Sequence, residues 1–556
     1  MKKYILIILA GFVFFAGCKK SSLEVTNLNQ PTAEILTNEG AILSYAKGFY
    51  NIGFNDVKIN SLDDGLGYGM MWIVNAFHES MGDNIFIPWG NNSFKFADNP
   101  TSVKLDNGTV VPNPIGQGNP FELKLRNDRA FGASNSFLPE WTYMYFLNNS
   151  TNVLLSKIDE ISYSGDAATK KNVLKAWAKW WKGYAYCRIG SMYIAGLIID
   201  APNGTNGTFV TNTKMIEEGL KNLDEAAAIL SATSGEAYNE VMERIMTTYL
   251  RGAKGVPTAA EWVRNINTLK ARSILINKKV ADMTAGDWTN IKSLVDEGIQ
   301  SDDYAFVIKT FADNSLSIIR TDNTFETDIS GNIVFRGGGP LQSEVAGENN
   351  TGFISERLIQ DFKDGDKRRS NNFDLLSSAV IYKRGRSITF GTRYKLLTGG
   401  KGNGAYTYFN GDPGQDLLYI GGSYEENELM KAECLIQTGQ INQGLVVIDA
   451  VRSFQNAELP ASGIGLNKQQ ALEELRKERR CALAFRGLAF YDYRRNGITE
   501  DVSKGGGRTA CVVLDQAGVP NTNALINYNY LPYWDVPQNE LDFNPPAAGS
   551  AKVKYE

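Results

Sequence analysis

The sequence predicts a mainly α chain in which helical hairpins form a scaffold and large irregular loops interrupt it. Apolar residues recur at helical spacing over 141–230, 271–303, 424–450 and 475–497. Between these stretches, 55–139 and 304–420 are rich in glycine, proline and aromatic rings and hold no sustained period beyond short strands. Within 424–450, Thr438-Gly439 splits the pattern into helix, turn and helix, at the length of one tetratricopeptide-like hairpin.

The N-terminus reads as an address. Lys2 and Lys3 precede an apolar run over 4–16 that is too short to cross a bilayer, and Phe15-Ala16-Gly17-Cys18 resembles a bacterial lipobox, although Phe15 stands where an aliphatic residue is usual. Residues 1–17 are therefore expected to be a signal peptide. Cys18 is the expected lipidation site (palmitate), 18–40 a polar tether, and 41–556 a single folded unit with halves over about 41–255 and 256–556. No later run reaches the roughly 18 apolar residues of a transmembrane helix, so attachment to the membrane is expected through the lipid alone.

The helical stretches each carry a specific expectation. Trp177, Trp181, Tyr184 and Arg188 recur at i, i+4, i+7 and i+11, the spacing of a core-facing stripe. Ala432 and Gly444 are small enough to let the two helices of the 424–450 hairpin approach closely. In 475–497, read as a helix, Leu472, Leu475, Arg479, Ala482, Arg486, Ala489 and Tyr493 share one face, placing two arginines on an apolar stripe. Buried guanidinium groups require carboxylate or carbonyl partners, so this segment is expected to be internal scaffold. Cys187, Cys434 and Cys481 sit in apolar helical patterns and Cys511 has no CxxC partner, so no disulfide framework is expected.

Composition excludes several functions. With 57 basic and 61 acidic residues and no basic patch, nucleic acid is not an expected partner. His78 is the one histidine, and no G-x-S-x-G elbow accompanies it, which leaves little basis for a hydrolase triad. Multi-histidine or cysteine zinc sites and phosphate-binding glycine loops are absent, so no catalytic residue, metal or cofactor is expected. A carboxylate pair acting as a lipid-anchored glycosidase stays open, without a spacing that argues for it.

Binding finds more support. The densest aromatic stretch, 68–96, holds Tyr68, Trp72, Phe77, Phe86, Trp89, Phe94 and Phe96. Rings of this kind stack on the C–H faces of sugars, and Asp83, Asn84, Asn91 and Asn92 could bond hydroxyls. Pro88-Trp89-Gly90 has the composition of a turn that presents an indole outward. Packing of the same rings against the helices is the competing reading. A second aromatic cluster, Tyr406, Tyr408 and Phe409 with Asn410, lies among glycines.

Glu478-Arg479-Arg480, Leu483-Ala484-Phe485, Gly487 and Asp492 to Gly497 spell ERR-x-x-LAF-x-G and D-x-R-R-x-G, and in this resemble the SusD/RagB family of outer-membrane nutrient-binding lipoproteins, with Arg486 where the family usually has glutamate. Glu426, Leu429, Met430, Ala432 and Glu433 match its R-x-A-E-x-x-L-M-x-A-E segment, with Ser423 replacing the arginine and Glu425 the first alanine. Trp141, Tyr145, Asn152 and Leu155 resemble an early helix, with Asn148 in place of isoleucine, and 530–545 resembles the closing E-x-x-x-NP motif. The resemblance implies a SusD-like, tetratricopeptide-like scaffold on the outer membrane, exposed at the surface. It further implies capture of an oligosaccharide, or of a peptide as in another branch of the family, for delivery to a SusC-like TonB-dependent transporter. The family's ligand site commonly follows the first helix, the position of 68–96 here. Trp89, Trp72, Phe86, Asp83, Asn84, Asn91, Asn92, Tyr406 and Tyr408 are the candidate contacts.

Overall fold

A computed structural model describes residues 36–51, 70–86, 93–114, 118–246, 254–309, 326–327, 333–334, 353–382, 388, 390–397, 399–409 and 417–555. The signal peptide, Cys18 and most of the tether lie outside them.

The helix Ala167–Met192 is apolar on every side at its middle, which forces it to the centre of a helical layer. It starts where the Asp166 carboxylate accepts a hydrogen bond from the Thr169 amide at 3.1 Å, and its Trp177, Trp180 and Trp181 are fully buried. Leu138–Lys157 and Asn212–Ser231 pack against it. The second contact is tight because Gly183 and Gly219 face across it; a Cβ on Gly219 would lie 2.6 Å from Cys187 Sγ. Trp177 and Trp180 both meet Trp262, and the Trp180 and Phe306 centroids are 4.5 Å apart. The expected aromatic stripe is core, and Arg188 at its end pairs with Glu140.

The predicted hairpin forms as Tyr424–Gln437 and Ile441–Phe454. Ser423 Oγ caps the first helix by accepting from the Glu426 amide, and Gly439, at φ 90°, supplies the left-handed turn. Gly444 is required at the crossing, since a Cβ there would meet Ile436 Cγ1 at 2.5 Å and the Ala432 carbonyl at 2.9 Å. Lys468–Ala482, opened by an Asn467/Gln470 capping box, packs across both helices.

One expectation is corrected here. The 475–497 segment is two helices, Lys468–Ala482 and Ala489–Arg495, separated by a turn with Phe485 at φ 67° and Gly487 at φ 72°. The buried Glu79 carboxylate takes the Phe485 amide at 3.0 Å and the Gly487 amide at 2.7 Å, bonds that continued helix would direct to carbonyls one turn back. The single face inferred from spacing therefore ends at Ala482.

The arginines are buried and partnered, as a low-dielectric interior demands. Arg479 pairs with Asp492 at 3.1 Å, Arg480 with Asp361 at 3.2 Å, and Arg495 with Glu433 at 2.7 Å. Arg494 donates to the carbonyls of Ser191, Ile276 and Pro532, tying three distant stretches together. Glu478 receives both Arg368 and Arg452. All four remaining cysteines are free and buried.

Sheet is sparse but strategic. Arg508–Leu514, Pro520–Asn527, Ser102–Lys104 and Val110–Pro112 form an antiparallel four-stranded sheet in that order, with Ile526 opposite Val103. A longer hairpin joins Phe373–Tyr382 to Phe390–Leu396. Two segments that carry the resemblance meet where Trp141 Nε1 donates to Glu540 at 3.2 Å, and nearby Asn544 donates to the Asn206 carbonyl at 2.9 Å. Among the described residues no helix is long and apolar enough to cross a membrane.

Candidate functional site

The first aromatic region enters the structure as the helix Met70–Met81 and leaves it through a turn at Gly82, Asp83 and Asn84. Gly82 passes directly against Ala489, where any Cβ would collide, and Asp83 takes a left-handed φ of 60°. The chain then forms a short strand, Ile85–Phe86, paired antiparallel with Phe353–Ile354.

Asp83 organises this stem. Its carboxylate accepts from Arg357 Nε at 2.7 Å and Nη2 at 2.6 Å, from the Tyr528 hydroxyl at 2.8 Å and from Ser355 Oγ at 3.1 Å. Burial alone would push this carboxyl up, but the Arg357 guanidinium, with Arg480 and Arg508 behind it, holds it down at about 2. Arg480 also donates to the Gly82 carbonyl at 3.0 Å and to that of Asp83. Glu79, one helical turn earlier, accepts from Asn84 Nδ2 at 2.6 Å, and burial raises its pKa above the usual carboxylate value.

Above this ionic base lies an aromatic one. The Phe86 ring stacks on Phe353 with centroids 5.3 Å apart and lies 6.4 Å from Phe390. Residues 87–92 follow Phe86 directly, 335–352 precede Phe353, and 383–387 precede Phe390 closely. The stems of three chain segments thus converge on one cluster, and one of those segments carries Trp89.

The candidate contacts divide accordingly. Asp83, Asn84 and Phe86 are interior; a ligand would have to displace their protein partners, and their observed work is to hold the stem. Trp72 belongs to the Met70–Met81 helix, with its side chain outside the described structure. Trp89, Asn91 and Asn92 lie outside the described residues. Tyr408 is also interior, its ring against Phe362, Phe373 and Phe485. Tyr406 is half-buried and leans on Arg486, whose guanidinium lies 5.6 Å from its ring and 4.3 Å from that of Tyr419. Asn371 and Asn372 hold the backbone around Tyr406 and Tyr408, the latter amide donating to Asn372 Oδ1 at 2.9 Å.

Sequence reasoning missed Arg357, Ser355 and Tyr528, the residues that fix the stem. Each is hundreds of positions from Asp83, apart in a way no local pattern encodes. Among the described residues no group of histidine, cysteine and carboxylate side chains could hold a metal ion.

Residues 426–547 match the sequence model of the SusD family. No curated protein matches the chain. Solved structures match it along nearly all its length. A SusD-like carbohydrate binding protein from Bacteroides vulgatus is 13% identical, with a TM-score of 0.55 over 94% of this chain and 99% of that one. Surface glycan-binding protein A from Bacteroides thetaiotaomicron is 14% identical, with a TM-score of 0.55 over 94% and 100%. A SusD-like carbohydrate binding protein from Bacteroides fragilis is 17% identical, with a TM-score of 0.55 over 92% and 99%. Residues 426–547 thus carry the sequence pattern of the SusD family, and the chain shares its fold with these SusD-like and glycan-binding structures.

Proposed function

We propose that the protein is a lipoprotein anchored to the outer membrane through Cys18, exposed at the surface, where it binds an oligosaccharide and delivers it to a SusC-like TonB-dependent transporter. The observation that carries this reading is the fold shared end to end with structures described as carbohydrate- or glycan-binding. The stem geometry supports it: a rigid ionic and aromatic base is the support that a recognition loop on a helical scaffold needs. In this reading Trp89, Trp72, Asn91, Asn92 and Tyr406 touch the ligand, while Asp83, Phe86 and Tyr408 position them from beneath. Capture requires stacking and neutral hydrogen bonds, with no chemical step.

Arrays carrying glycans and peptides side by side test the ligand class. Retention on glycans alone fits the proposal, and retention on peptides alone contradicts it. Tagged protein extracted from membranes should bring a TonB-dependent barrel with it, and Cys18→Ala should release the protein from the membrane fraction.

A further inference from the structure

Glu79 lies in the last turn of the Met70–Met81 helix and is fully buried. Three neutral donors hold its carboxylate. Asn84 Nδ2 at 2.6 Å and the Phe485 amide at 3.0 Å reach Oε2, and the Gly487 amide at 2.7 Å reaches Oε1. Asn84 belongs to the turn that begins the loop stem, whereas Phe485 and Gly487 belong to the turn between Lys468–Ala482 and Ala489–Arg495. One side chain thus fastens together two turns that are remote in sequence.

Opposing effects meet at this carboxylate. Burial and the negative end of the helix dipole disfavour its charge, while N–H donors require its lone pairs. The charged groups on the packed elements have other partners. Arg480, whose charge does act on Glu79, is bound to Asp361 and to the Gly82 and Asp83 carbonyls. Asp83 is paired with Arg357, and Asp492 with Arg479 and Arg495. His78, next in sequence, meets the Gly487 carbonyl through Nδ1 at 3.2 Å and Glu140 through Nε2 at 3.3 Å. Burial prevails, and Glu79 takes a proton above its ordinary 4.5.

A proton converts one acceptor oxygen into a donor that points at N–H groups. On Oε1 it displaces the Gly487 amide, and on Oε2 it displaces Asn84 and Phe485. We infer that Glu79 is a positioning residue that works as an acid-sensitive catch. Charged, it locks the stem turn to the Phe485–Gly487 turn; protonated, it gives up at least one of the three bonds and the junction loosens. A weaker hold on ligand in mild acid rests on the proposed loop site, whereas the loosening itself involves no ligand.

Hydrogen exchange of the full mature protein without ligand, read by mass spectrometry and corrected for the intrinsic rate at each pH, tests this. From neutral pH to pH 4.5, protection of the Phe485 and Gly487 amides should fall about tenfold or more, the worth of one hydrogen bond to a charged group. The amides of Ala167–Met192 should keep theirs. Glu79→Gln, which replaces one acceptor by a donor, should already be less protected at neutral pH and should show no further fall. If that variant does not fold, Asn84→Ala, which removes a donor from the charged form, should move the wild-type fall to higher pH. Unchanged protection in the wild type at pH 4.5, an equal fall in Glu79→Gln, or a fall at unaltered pH in Asn84→Ala would each overturn the inference.

Discussion

Arg486 and Glu425 form a buried two-point ion pair, with Nη2 at 2.7 Å from Oε1 and Nη1 at 3.1 Å from Oε2. Arg486 Nη1 also donates to Ser423 Oγ at 2.7 Å. At these three positions of the C-terminal segments the sequence departs from the pattern it resembles, which has arginine at 423, alanine at 425 and glutamate at 486. The structure brings the three departures into contact: here the arginine comes from position 486 and the carboxylate from position 425. The Arg486 partner is thus Glu425, whereas Glu478 and Asp492 are committed to other arginines.

Breaking one side of such a pair leaves a buried charge alone. Arg486→Ala or Glu425→Ala should cost about 3–5 kcal/mol in urea denaturation. Arg486→Glu should be worse than either. The triple change Ser423→Arg, Glu425→Ala and Arg486→Glu should recover most of the loss by restoring the family's arrangement. Strict additivity of the three single effects would refute the coupling of these positions.

Asp83 links the loop stem to acid stability. Its pKa of about 2 in the folded chain lies below its ordinary 3.8. A depressed folded pKa contributes stability that is present above the unfolded value and lost as pH falls through the folded one. The wild type should lose about 2 kcal/mol between pH 4 and pH 2 that Asp83→Asn does not lose. Parallel pH profiles of the two proteins would contradict the assignment.

His78 gives a second titration at milder pH. Burial lowers its pKa, against the pull of Glu140, so the folded state favours the neutral ring. As pH falls below its ordinary 6.5 the unfolded chain gains the proton first, and stability falls. Glu79, whose pKa burial raises, acts in the opposite sense as pH rises past 4.5, so the comparison must be wild type against His78→Gln. The variant's thermal midpoint should flatten between pH 7 and pH 5.

Gly444 separates packing from helix propensity. Alanine gains about 1 kcal/mol over glycine in a free helix. At this crossing the added methyl meets Ile436 and the Ala432 carbonyl. Gly444→Ala should therefore destabilise by about 1–3 kcal/mol, and a rise in the thermal midpoint would disprove the tight crossing.

The parts of this fold that were legible in the sequence are those whose cause is local. The 424–454 hairpin carries its own period, cap and turn glycine, and the buried tryptophan stripe shows itself by spacing. The break after Ala482 was not legible, because its cause is a carboxylate at Glu79, some 400 positions away. The four-stranded sheet was hidden for the same reason: Ser102–Lys104 finds its partner only at Pro520–Asn527. At the candidate site, composition pointed to 68–96 but could not tell which of its rings are interior supports. Asp83 and Phe86 look like ligand contacts until Arg357 and Phe353 are seen to claim them.

Calorimetry of the mature wild type and Trp89→Ala against a broad panel of oligosaccharides tests the central claim most directly. The account predicts modest, saturable binding of at least one oligosaccharide by the wild type and its loss in the variant, with the folded stability of the two unchanged. Absence of binding across the panel, or equal binding by both proteins, would contradict it.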